Sequence, residues 1–65
     1  MVIVEGYDPK KPTIIMMKYS PQELKEVTDK WRGKARMIIG PDQFTMIYFK
    51  NHQDMNWFKL EWSGR

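Results

Sequence analysis

The chain has no cysteine, so neither disulfides nor thiolate metal sites can reinforce it. Its one histidine, His52, excludes the usual multi-imidazole metal clusters. The four glycines, Gly6, Gly33, Gly40 and Gly64, stand singly, so no glycine-rich loop is present to cradle a phosphate. No apolar run approaches the roughly 20 residues that span a bilayer. The opening MVIVEGYD carries no basic segment ahead of an apolar stretch of signal-peptide length. These absences predict a soluble, cytoplasmic protein with no membrane partner, no metal and no other cofactor.

At 65 residues the sequence predicts one domain, residues 1–65, of a size that buries only about 60% of the surface its unfolded chain exposes. Against that limit stand six methionines and three each of Trp, Tyr and Phe, a generous apolar supply that argues against disorder. Some of it is expected to stay outside, which points to a homodimer or a partner-binding patch. Eleven Lys and Arg face eight Asp and Glu, a net charge of +3 that favours anionic partners if the cations cluster.

One stretch, Ser20 to Gly33, repeats its apolar residues at helical spacing. Ser20 suits the N-cap, Pro21 the first helical position, and Glu23 completes a capping box. Gly33 can take the left-handed turn that ends a helix. Leu24, Val27, Thr28 and Trp31 form the stripe expected to face a core, and the polar residues between them face water.

The rest reads as β-structure. Val2 to Glu5 is rich in β-branched residues, and Gly6, Asp8, Pro9 and Pro12 supply turn chemistry after it. Thr13 to Tyr19 follows as a strand with apolar residues on both faces, as a central strand requires. Arg36 to Ile39 is a third strand, and Gly40-Pro41-Asp42-Gln43 is a turn. Phe44 to Lys50, again apolar on both faces, is the fourth strand, followed by a polar connection from Asn51 to Asp54.

Two periods fit the segment from Met55 to Trp62. A helix capped by Asp54 would align Met55, Phe58 and Trp62, whereas a strand would align Phe58, Leu60 and Trp62. Three aromatics in eight residues favour the strand. The expected fold is therefore α+β, a small antiparallel sheet in the order β-β-α-β-β-β with one helix packed on one face.

Lys30, Arg32, Lys34 and Arg36 alternate with uncharged residues across the end of the helix and the start of the third strand. Cations there complement the helix dipole, and they also form the best candidate for an anion-facing patch. A second candidate is a sheet face on which Tyr48 and Trp57, on neighbouring strands, stack single-stranded bases beside Lys50 and Lys59. Lys10 and Lys11 sit at a loop tip, either merely solvated or reaching a phosphate.

Catalysis has weaker support. His52 and Asp54 could pair, but no nucleophile accompanies them, and Glu5, Asp8, Asp42 and Asp54 are spread over turns. The expected function is thus a non-catalytic, basic nucleic-acid-binding module. The alternative is a protein-interaction module, a regulator or inhibitor that docks by apolar surface or sheet edge. A minor alternative is a ribonuclease-like toxin using His52 or a tyrosine as acid or base.

Overall fold

The helix predicted at Ser20 is present as α1, Pro21–Trp31. Ser20 Oγ accepts from Glu23 N at 3.2 Å and Glu23 Oε1 accepts from Ser20 N at 2.9 Å, closing the capping box. Gly33 takes φ +76° just past the C-cap, Arg32, a conformation that glycine adopts without a Cβ penalty. Val27 and Trp31 are buried, and Leu24 packs against them half-buried, so the stripe faces inward as its spacing requires. The structure, a computed structural model, describes residues 1–6, 8 and 10–63; Pro9 and Gly64 lie outside the described residues.

Four strands accompany α1: β1 Val2–Glu5, β2 Thr13–Met17, β3 Ala35–Gly40 and β4 Phe44–Phe49. All pairings are antiparallel, and the sheet order is β1-β2-β4-β3. The two strands with apolar residues on both faces, β2 and β4, are indeed the central ones. The turn between β3 and β4 holds Asp42 and Gln43 at φ 57° and 55°, and Gln43 O accepts from Lys18 N at 3.3 Å, which ties this turn to the end of β2.

The last segment is a helix and not the expected fifth strand. This is α2, His52–Trp62, so the order is β-β-α-β-β-α. Asn51, one turn ahead of the expected cap, caps it by accepting from Asp54 N at 2.8 Å, and Asp54 places its charge in the first turn. Met55, Phe58 and Trp62 point into the core, while Trp57 and Leu60 remain 61% and 73% exposed. The physical reason is width. Four strands span about 19 Å, and a helix about 10 Å across covers only half of that, so one sheet face needs two helices.

The core lies between that face and the two helices. Ile14 and Met16 of β2, and Ile47 and Phe49 of β4, meet Tyr19, Val27, Trp31, Met55, Phe58 and Trp62. Trp31 meets Phe49 edge-on at 5.0 Å, and Phe49 meets Phe58 at 5.5 Å. Thr45 is fully buried, and its hydroxyl is satisfied by Tyr19 Oη at 2.6 Å. Two ion pairs fasten α2 at its edges, Lys30 to Glu61 and Lys59 to Glu5.

Candidate nucleic-acid interface

Strand register divides the side chains of this sheet strictly between two faces. The face turned from the helices carries three rows. Val4, Ile15, Met46 and Ile38 stand side by side across all four strands. Below them run Val2, Met17, Phe44 and Gly40, and above them Thr13, Tyr48 and Arg36. Among the described residues, none covers the two lower rows, and Val2, Val4, Ile38 and Phe44 are all exposed. Among these residues only Arg36 is charged.

At the upper end of this face lies a groove of about 860 Å³. Tyr48 and Arg36 line it from the strands, Lys10 and Lys11 from the β1–β2 loop, and Lys50 from the step after β4. The loop is held in place by its backbone. Gly6 N donates to Thr13 O at 2.7 Å, and a Cβ on Gly6 would stand 2.7 Å from Thr13 Cγ2, so only glycine fits this close approach. Phe49 N donates to Pro12 O at 2.9 Å, which joins the loop to the end of β4. Asp8, the one carboxylate among the described residues that line the groove, has Oδ1 engaged by Lys10 N at 2.9 Å and so orders the lysine-bearing tip.

Lys50 Nζ donates to Gly33 O at 3.4 Å, which leans it toward the end of α1. The Tyr48 hydroxyl donates to Met46 Sδ at 3.9 Å, which lays the ring along the sheet surface. Among the described residues, none of Lys10, Lys11, Arg36 and Lys50 forms an ion pair with a carboxylate. Four cations from separate parts of the chain therefore line one groove together with Tyr48.

The expected patch of Lys30, Arg32, Lys34 and Arg36 is divided by the fold. Lys30 pairs with Glu61 on α2, and Arg32 lies 3.5 Å from Asp29 on its own helix. Lys34 is exposed in the turn, where its N donates to Trp31 O at 2.9 Å. Only Arg36 reaches the groove, because the turn at Gly33 carries the chain from the helix layer into the sheet.

The expected aromatic face is also corrected. Tyr48 and Lys50 stand where strand parity puts them, but Trp57 and Lys59 belong to α2 on the other side of the sheet. Trp57 faces water there, and Lys59 is taken by Glu5. That contact, by hydrogen bond and then by charge, holds the Glu5 carboxyl below its ordinary value, with His52 adding a smaller effect.

His52 opens α2 and does not line the groove. Among the described residues, no group of three or more His, Asp or Glu side chains is placed to hold a metal ion, and no helix is long and apolar enough to cross a membrane. Sequence reasoning named Lys10 and Lys11 without joining them to Arg36; the connection depends on the β2–β4 and β3–β4 pairings. No family model, curated protein or solved structure matches this chain.

Proposed function

We propose that the protein is a non-catalytic module that binds single-stranded nucleic acid. Lys10, Lys11, Arg36 and Lys50 hold the phosphates and Tyr48 stacks a base. The observation that supports this reading is the gathering of those four cations in one groove with Tyr48, where they outnumber Asp8, the single carboxylate among the described lining residues. Phosphate recognition needs cations without competing acids, and sequence-tolerant binding of single strands needs a ring with an accessible face. Arg36 can offer two parallel donors to one phosphate, whereas the lysines contribute point charge from mobile stems. The cytoplasm is the compartment we propose for it.

The uncovered apolar rows favour a second reading, a protein-interaction module that docks through this face as a regulator or inhibitor of another protein. Contiguous exposed apolar surface of this kind marks interaction sites. The two readings use adjoining parts of one surface.

Salt-dependent titration of labelled single-stranded DNA and RNA distinguishes them. Replacing Lys10, Lys11 and Lys50 together by glutamine is expected to weaken binding across all sequences and to flatten its salt dependence. Replacing Lys30 and Arg32 is expected to change little, since both already face carboxylates. Equal losses in the two variants would overturn the groove as the site.

A further inference from the structure

We infer that the uncovered sheet face docks a second copy of this chain. The two sheets lie face to face about a two-fold axis along the row Val4, Ile15, Met46 and Ile38, so that the upper end of one sheet covers the lower end of the other. Three features of the face point to its own copy as the occupant.

The first is charge. The two apolar rows carry no charged group, so they can meet themselves without opposing like charges. A two-fold axis along the strands would instead set both cationic ends together, Lys10, Lys11, Arg36 and Lys50 against the same four. The axis across the strands lays each Arg36 over the end that bears Asp42, in the exposed turn between β3 and β4. Each set of four cations is then kept from its own copy, and at the far end Arg36 meets Asp42, beside which Lys18 also stands.

Size is the second feature. About this axis residues equally far above and below the central row face one another. Arg36 and Gly40 each lie two residues from Ile38, so the longest side chain of the face meets the residue with none. Tyr48 and Phe44 each lie two residues from Met46 and so bring aromatic rings together across the interface. Met46 and Ile38 meet their own counterparts at the centre. Sheets pack in this way with their strands nearly aligned and about 10 Å between them.

The third feature is area. Four strands and three rows give a flat footprint of about 19 Å by 17 Å, roughly 300 Å². That is about the size of the largest apolar patch a typical monomer exposes, often a functional one, and it falls short of the roughly 800 Å² per partner of a standard interface. The pair is accordingly a weak, reversible dimer and not an obligate one.

Sedimentation equilibrium on the full chain, without nucleic acid, tests this inference. Between about 1 µM and 1 mM the mass should rise from that of one chain toward that of two. Met46→Lys, which sets a charge against its own copy on a face that the core does not use, should hold the mass at one chain while the circular dichroism spectrum stays folded. Arg36→Glu and Asp42→Lys should each weaken association, and the two together should restore it. A single-chain mass at every concentration would overturn the inference and leave the face to a different partner. A dimer that survives Met46→Lys would place the contact on a sheet edge instead. Failure of the double charge exchange to recover association would overturn the orientation. Because no nucleic acid is present, none of these results depends on the groove's role.

Discussion

Arg36 and Tyr48 are direct cross-strand partners on the uncovered face of the sheet, and both line the cationic groove. Their pairing sets a cationic residue beside an aromatic one at the spacing of neighbouring strands, as the proposed binding of phosphate and base requires. Tyr48→Ala is expected to reduce single-strand affinity by about 1–3 kcal/mol while leaving the salt slope unchanged. Arg36→Gln should reduce affinity for every sequence alike and lower that slope by about one. Fluorescence anisotropy at several salt concentrations separates the two effects.

Two tryptophans should behave oppositely. Trp31 packs edge-on to Phe49 in the core, and Trp57 faces water on α2. Trp31→Ala is expected to cost about 3–5 kcal/mol, comparable to the whole stability of so small a domain. Trp57→Ala should leave both the melting temperature and single-strand binding nearly unchanged. Thermal melts and the same anisotropy titration check both outcomes.

Asn51 caps the start of α2, where its side chain accepts from Asp54 N. Asn51→Ala should cost about 1 kcal/mol. Asn51→Asp, which keeps the acceptor, should cost less. Chemical denaturation of the two variants measures the difference.

Acid should loosen the attachment of α2 to β1. Lys59 holds the Glu5 carboxyl below its ordinary value, so this contact contributes fully above the unfolded-state value and is lost as pH falls through the lowered, folded-state one. Glu5→Gln is therefore expected to melt lower than the wild type near neutral pH and to converge with it in acid. Melting temperature against pH for both proteins provides the check.

If both proposals hold, nucleic acid and a second copy should compete for Tyr48, since the proposed dimer sets Phe44 of the other copy over its ring. An oligonucleotide long enough to reach Tyr48 should shift the association equilibrium toward single chains. Sedimentation with and without a single strand reads this directly; an unchanged equilibrium would mean that one of the two occupants leaves Tyr48 alone.

Helix α1 was legible because everything that makes it is local: Ser20, Pro21, Glu23 and the stripe through Trp31 lie within about three turns of each other. The central strands were legible for a related reason, since only a strand paired on both sides tolerates apolar residues on both faces. Helix α2 was not. Trp57 and Leu60 interrupt its stripe, so period two fits Phe58, Leu60 and Trp62 as well as helical spacing fits Met55, Phe58 and Trp62. What decides between them is the width of a sheet assembled from the rest of the chain.

The site was legible only in part, and again the missing information was non-local. Lys30 and Arg36 are sequence neighbours that the turn at Gly33 sends to different layers. Lys10, Arg36 and Lys50 are distant in sequence and are brought together by strand pairing. Val4, Ile15, Met46 and Ile38 gave no sign of standing in one uncovered row, because the sequence does not reveal which sheet face the helices choose.

The proposed ligand lies on the face away from the helices, and amide chemical-shift mapping of the full chain with a short single strand locates it. Shifts should concentrate in residues 10–13, 34–38 and 46–50, with α2 quiet. Shifts centred on α2 around Trp57, or none at low salt, would contradict that placement.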